Sequence, residues 1–311
     1  MDNASTDGSA EKAVMQFPEI QLIRSEENQG FGAGSNLGAA NAKGEYLAFL
    51  NPDTETSPGW LHPLIQALES NSMIGLATPK ILMNDDSRTI NTCGNEIHIS
   101  GITLCRGFGR EIYEFDTSEE VGAVSGAAFV IRKELFESLG GFDEDFFLYM
   151  EDTDLSVRAR LLGYLSLYIP SSVIYHNYSL KLVARKIYFQ ERNRYLNLLK
   201  CFKWGTLFVL LPILLLAEVV TWGYSILRDK DNLMNKIHAY LWVLKHLNII
   251  MDKRQKIQTM RSARDRDLLL IRHPRLDFEQ TGDGILSKMA HFVFDPLFNL
   301  SKQAVLMFVW W

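Results

Sequence analysis

The sequence predicts an α/β protein, a layered sheet flanked by helices, that passes into a helical, basic, membrane-associated C-terminal region. Three observations carry this. Short apolar runs alternate with helical patterns through the first 180 residues. The alternation stops near Lys181. Charge divides at the same place: residues 1–180 carry 11 Lys/Arg and 26 Asp/Glu, residues 181–311 carry 21 and 11. The acidic part is a poor partner for nucleic acid, and the basic part suits anionic lipid. At 47% hydrophobic the chain can build a core. Residues 1–13 are polar and acidic and do not read as a signal peptide. Cys93, Cys105 and Cys201 lack metal-ligand spacing, which points to a reducing compartment without structural zinc.

Taken in order, "IQLIR" (20–24) and "EYLAFL" (45–50) read as strands. Between them, "NQGFGAGSN" (28–36) has glycines at 30, 32 and 34, without the spacing of a dinucleotide loop or the Gly-Lys-Ser/Thr of a phosphate loop. It reads as a flexible turn before a helix, with backbone free to approach a ligand. Residues 58–70 form a helix with Leu61, Leu64, Ile65 and Leu68 on one face. "IGLATPKIL" (74–82) and "GAVSGAAFVI" (122–131) are strands, and the Gly-rich stretch 91–112 between them is a hairpin insertion. "RKELFESLGG" (132–141) is a short helix closed by glycine. "MEDTDLSVRARLLGY" (150–164) is a helix with Leu155, Ala159 and Leu162 on one face, and "VIYH" (173–176) is a short strand. Beyond Lys181 come a basic helix, then residues 204–227 with Glu218 as their one charge, then a helix from Asn232 to Met251. The 204–227 segment is about as long as a bilayer core requires, with Trp204, Trp222 and Tyr224 near its ends. A buried core helix is the competing reading, favoured by Pro212 and Glu218. Each flank carries seven Lys/Arg, so no orientation is preferred for a single span. A re-entrant or in-plane segment with both flanks cytoplasmic fits the tie.

Chemistry gathers at three places. Asp53 projects beyond a strand end after Pro52, where open sheets bind ligands and where a carboxylate suits a hard cation. An ordinary Asp turn explains it equally well. Six carboxylates lie from Asp143 to Asp154 around the apolar run Phe146–Met150. Acids at a helix start favour its dipole, and Asp154 can pair with Arg158. An acid held against apolar walls can instead act as a general base. His176 follows a strand and is structural unless it faces Asp53.

The stretches "DNASTDGS" (2–9), "NQGFGAGSNLGA" (28–39), "YLAFLNPDT" (46–54), residues 126–164 and "VIYHNYS" (173–179) occur in one order over about 180 residues. On these the chain resembles the family 2 glycosyltransferases, in their rhamnosyltransferase-like branch. The resemblance implies a GT-A fold with a mostly parallel sheet, and an inverting transfer from a nucleotide-diphosphate sugar, uridine- or thymidine-linked. By the family pattern Asp2 and Asn3 would contact the nucleotide, and Gly32 and Asn36 would line the nucleoside pocket. Asn51 would stand where the family has an acid, and with Asp53 would meet the donor. Asp53 and His176 would hold a divalent cation, Mn²⁺ or Mg²⁺. Asp152 would be the catalytic base, with Glu151, Asp154 and Gly126 in support, and Asp143 to Asp145 would form a solvated loop. A glycan or polyprenyl-linked acceptor at the cytoplasmic face of the membrane would complete the reaction.

The family normally places a strand and a helix before the first of these motifs, whereas the chain starts inside it. The expectation is therefore a truncated domain, poorly soluble and inactive. Two other readings stand beside transfer: an inactive remnant or binding module of the same fold, and a nucleotidyltransferase. The division expected is a glycosyltransferase domain over 1–180 and a membrane-associated region over 181–311.

Overall fold

The computed structural model describes residues 1–178, 184–228, 233–276 and 285–311. Its strands are β1 (Asp2–Asn3), β2 (Arg24–Ser25), β3 (Tyr46–Leu50), β4 (Thr54–Thr56), β5 (Ile74–Met83), β6 (Ile90–Thr92), β7 (Asn95–Ile97), β8 (Thr103–Cys105), β9 (Glu119–Val121), β10 (Ala128–Arg132) and β11 (Leu165–His176). Its helices are α1 (Ser9–Gln16), α2 (Gly30–Asn41), α3 (Leu61–Ser70), α4 (Lys133–Ser138), α5 (Glu151–Leu161), α6 (Ala184–Cys201), α7 (Trp204–Arg228), α8 (Leu233–Lys245), α9 (Leu247–Met260), α10 (Asp265–Leu270) and α11 (Ile285–Phe308).

The main sheet runs β3-β10-β5-β11-β4, with β6 added to β5 and β9 to β11. This GT-A-like sheet is mixed, which corrects the expectation of a mostly parallel one. Only β5 and β11 pair in parallel; the other pairs in this sheet are antiparallel. The cause lies in the connections. After β5 the chain makes its excursion through β6 to β9 and returns from the far end, so β10 enters against both neighbours without a crossover. The expected 91–112 hairpin is β7 paired with β8. The expected strand 20–24 shrinks to β2, since its parallel partner β1 is two residues long. The glycine run is also corrected. Gly30, Gly32 and Gly34 lie inside α2 rather than in a flexible turn.

Period-two alternation places Phe129 and Ile131 of β10 on one face of the sheet, Ala128 and Val130 on the other. The first face packs on α4 and α5 through Leu135, Phe136, Leu155 and Ala159. The second packs on α3 through Leu64 and Leu68. Val157 and Leu161 point the other way from α5. They share a core with Leu198 of α6, Leu207, Leu210, Ile213 and Ala217 of α7, and Phe298 of α11.

Polar contacts bind α6 to α5 more tightly still. Lys200 Nζ lies 2.9 Å from Asp154 Oδ1 and also pairs with Asp143. Arg158 Nε donates to Asp154 Oδ2 at 2.7 Å, and Asn197 Nδ2 to Oδ1 at 3.1 Å. The i, i+4 pair expected of Asp154 is present. Asp143, expected in a solvated loop, is half-buried, its carboxylate enclosed between Lys200 and Lys253. Burial alone would raise its carboxyl, yet these two ammonium groups hold it far below the usual carboxylate range.

Replacing Lys200 with Met leaves two buried carboxylates short of a cation. Breaking one side of such a network costs about 3–5 kcal/mol. Denaturant unfolding of Lys200→Met should show that loss. A carboxyl depressed in the fold stabilises above the ordinary carboxylate pKa, and the gain vanishes as pH falls through the native value. The variant should therefore unfold at a higher pH than the parent on acid titration.

Candidate active site

Strand ends position the site. β3 delivers Asn51 to Asp53 at its carboxyl end, and β11 ends on His176. The register of β4 on β11 sets Thr54 opposite His176, which brings Asp53 alongside. The Asn177 N–H donates to Asp53 O at 2.9 Å. The two side chains converge, with His176 Nε2 3.3 Å from Asp53 Oδ1.

The state of His176 follows from its neighbours. Burial holds the imidazole below its ordinary pKa, against the opposing pull of Asp53, so it is neutral at pH 7. Its Nδ1 lies 2.9 Å from Asn91 Oδ1. In this arrangement Nδ1–H donates to the amide oxygen, leaving the Nε2 lone pair facing a carboxylate oxygen. Two acceptors that face one another call for a cation between them. The donor pair, imidazole and carboxylate, fits Mn²⁺ or Mg²⁺. No group of three or more His, Cys, Asp or Glu that could hold a metal occurs among the described residues.

Asp152 opens α5 and is buried. Its Oδ2 accepts from Gly126 N at 2.7 Å and from Asn95 Nδ2 at 3.1 Å; its Oδ1 accepts from Thr153 N at 2.6 Å. A Cβ on Gly126 would sit 3.2 Å from Oδ2, so glycine permits this approach. The next carbonyl, Ala127 O, accepts from Asn51 N at 2.9 Å. Residues 126 and 127 thus bridge Asp152 to the Asn51–Asp53 turn. Asn51 Oδ1 is buried there without a hydrogen-bond partner.

Glu151 and Asp152 are adjacent buried acids, and burial raises both. Their surroundings then separate them. Asp152 receives the three donors just named, which favour its charged form. Glu151 Oε2 has no partner, and burial with the Asp152 charge pushes its carboxyl up to about 8. The proton resides on Glu151 and the charge on Asp152. Asp154 makes no contact with Asp152; it is spent on Lys200, Arg158 and Asn197.

The apolar run Phe146–Met150 is a strained loop. Phe147, Tyr149 and Met150 have φ of 59°, 68° and 66°, a left-handed region costly to side chains of this size. Asn193 of α6 holds it, its Nδ2 donating to the carbonyls of Phe146, Leu148 and Tyr149 at 2.7–3.0 Å. Arg192 adds a bond to Phe146 O at 2.7 Å. The glycines of α2 meet the same loop. A Cβ on Gly30 would lie 2.3 Å from Phe147 O, and one on Gly32 3.1 Å from Phe142 Cβ.

Asn36 exchanges two hydrogen bonds with the Phe142 backbone. Gly32 and Asn36 are therefore engaged with the chain itself, where a nucleoside pocket was expected. Asn3 donates to Gly30 O at 2.9 Å, and Asp2 accepts from Ser5 N at 2.9 Å. Sequence reasoning missed Asn91, Asn95, Arg192 and Asn193. The polar cluster "QERNR" in a helix was the available signal for the last two. Lys186 was missed as well; its Nζ stands 5.5 Å and 5.8 Å from the ring centres of Tyr149 and Tyr178.

Residues 1–140 match the glycosyl transferase family 2 profile. The N-acetylglucosaminyl-diphospho-decaprenol L-rhamnosyltransferase of Mycobacterium tuberculosis is 30% identical over 204 residues, covering 57% of this chain and 64% of that protein. The chain thus spans under two thirds of that relative's length. Mouse polypeptide N-acetylgalactosaminyltransferase 5 is 28% identical over 178 residues, 53% of this chain and 19% of that one. Among solved structures, S. aureus TarS 1–349 in complex with UDP-GlcNAc superposes with a TM-score of 0.51 at 14% identity. It covers 100% of this chain and 82% of its own, a likeness of fold.

The acid pair has a signature in pH. A carboxyl raised in the fold keeps its proton where the unfolded chain has lost it, so native stability falls as pH rises from about 4.3 towards 8. Glu151→Gln should flatten that decline, measured by denaturant midpoints at pH 5, 6, 7 and 8. An unchanged slope would place the proton elsewhere.

Proposed function

From the match of residues 1–140 to the family 2 glycosyltransferase profile, we propose that the chain transfers a sugar from a nucleotide-diphosphate sugar to an acceptor hydroxyl, with inversion. One observation carries the reading: a buried Asp152, its carboxyl accepting from Gly126 N–H, joined by residues 126–127 to the turn that bears Asp53. The acceptor oxygen attacks the anomeric carbon as the bond from that carbon to the diphosphate oxygen breaks. Asp152 takes the acceptor proton, and the nucleoside diphosphate leaves with the bonding electrons. A single carboxylate suffices, unlike the pair of a glycosidase. The apolar loop 146–150, fixed by Asn193, leads directly into the first turn of α5 that carries Asp152.

Asp53 and His176 would hold a divalent cation, with Asn91 fixing the imidazole. When bound, that ion supplies positive charge against the leaving diphosphate. The rhamnosyltransferase relative supports an acceptor that is a lipid-linked diphosphate sugar. A polyprenyl-linked or glycan acceptor, a dTDP- or UDP-linked donor and work at the cytoplasmic face of the membrane complete the proposal.

The test is product mass. The chain is incubated with UDP- or dTDP-sugars, dTDP-rhamnose included, and a polyprenyl-diphosphate N-acetylglucosamine. Transfer adds one glycosyl residue to the acceptor and releases nucleoside diphosphate. A product retaining nucleotide would indicate nucleotidyl transfer, and no turnover with donor bound would indicate a binding module.

Asp152→Asn keeps the shape and removes the base. Its turnover should fall by about 10²–10⁴-fold with donor affinity retained, and near-normal turnover would refute the assignment. Asn91→Ala frees the imidazole. Losing an outer-shell partner of this kind typically lowers metal affinity by about 10–100-fold, which Mn²⁺ titration by calorimetry would measure.

A further inference from the structure

The helix α7 is the one described helix long and apolar enough to cross a membrane, over Trp204–Ile226. Its surroundings decide how it meets lipid. One face, Leu207, Leu210, Ile213, Ala217 and Val220, is buried in the same core as Val157 and Leu161 of α5. Glu218, in the second half of the helix, pairs with Arg194 of α6 and with Lys236 of α8, whose Nζ is 3.0 Å away. Lys236 also reaches Glu191 of α6 at 2.8 Å. A helix fixed by ions to α6 and α8 and by core to α5 cannot be surrounded by acyl chains without drawing those elements in.

The opposite face of α7 is apolar and uncovered. Trp204, Phe208, Leu211, Leu215, Val219 and Ile226 are exposed, Phe208 by 75% and Leu215 by 64%. Their spacing of three, four or seven draws one stripe along the helix. The neighbouring α11 behaves alike. Trp311, just past its end, donates to Thr206 Oγ1 at 2.9 Å and lies against Gly205, while Phe292, Leu300, Met307 and Trp310 are exposed. On α8, Leu241 and Leu244 are exposed, with Lys245 following.

Charge identifies what covers this surface. In the described helical region Glu191, Glu218 and Asp265 are drawn into buried or half-buried ion pairs with Arg194, Lys236 and Arg261. Asp252 is the one exposed acid there, whereas Lys203, Lys245, Lys256 and Arg275 are exposed cations. An apolar stripe flanked by tryptophans, on a region whose unpaired surface charge is positive, matches an anionic phospholipid interface. We propose that α7, with α11 and α8 beside it, is a monotopic face: α7 lies in the plane of one leaflet of an anionic bilayer and does not cross it.

The test reads binding rather than turnover, so it stands apart from the sugar-transfer reading. The full chain is floated with sealed vesicles of phosphatidylcholine alone or with 30% phosphatidylglycerol. Binding should be at least tenfold stronger to the anionic vesicles, and weakened but not abolished by high salt. Phe208→Glu with Leu215→Glu, both at exposed positions, should lower it at least tenfold with an unchanged thermal melt. An impermeant maleimide should label Lys203→Cys and Lys245→Cys equally from outside the vesicles, as peptide mass would show. Protection of one cysteine alone would mean that α7 spans. Equal binding to both vesicle types, or a dimer by light scattering that the double variant dissociates, would equally overturn the proposal.

Discussion

Lys200 is the point on which the structure turns. Its ammonium is buried and touches the carboxylates of Asp143 and Asp154, one before and one after the strained loop that leads into α5. This cation therefore bridges both ends of a segment that would otherwise repel itself, with Lys253 and Arg158 completing the charge balance. With Asp154 oriented by Arg158 and Asn197, the rotation of the first turn of α5 is held against α6. That rotation aims Asp152 at Gly126. The acidic run is dense because its members have different partners: Asp143 and Asp154 are structural anions, Glu151 a carboxylic acid, Asp152 a carboxylate.

The helix that carries Lys200 also holds the loop. Asn193 and Arg192 lie about two turns before it on α6 and bond the carbonyls that the left-handed residues turn outward. Because α6 packs on α7, α8 and α9 as well, Asp152 and the apolar C-terminal helices are parts of one bonded assembly. On the function and the membrane face proposed above, the proposed base and the lipid-facing helix would share one support, which suits a hydroxyl presented from a membrane.

Much of the fold was legible in the sequence because its signals are local. The periodicity of α3, the alternation in β10 and the charge pattern of α5 each name an element with a few residues of context. The convergence of Asp53 and His176 could be anticipated only through the resemblance, since β4 must pair with β11 to bring them together. Strand direction was not legible, because residues 84–127 offer no pattern that says from which end β10 enters. Asn91, Asn95 and Asn193 were invisible for another reason. An amide is an ordinary surface residue until the fold buries it against a particular carboxylate, imidazole or carbonyl. The glycines of α2 were visible, but the turn expected of them is helix, and they admit the chain's own residues Phe142 and Phe147 closely.

The grip of Asn193 restricts how the sequence can drift. Its amide nitrogen serves three carbonyls at once, and aspartate at that position would turn an oxygen towards all three. Leucine would take this donor from the carbonyls of Leu148 and Tyr149, leaving Phe146 O to Arg192. Neither the asparagine nor the three left-handed residues of the loop can be exchanged alone. A lineage abandoning this geometry must rebuild position 193 and the loop together, and one that keeps it carries both as a single inherited character, joined by bonds that span 44 to 47 residues of chain.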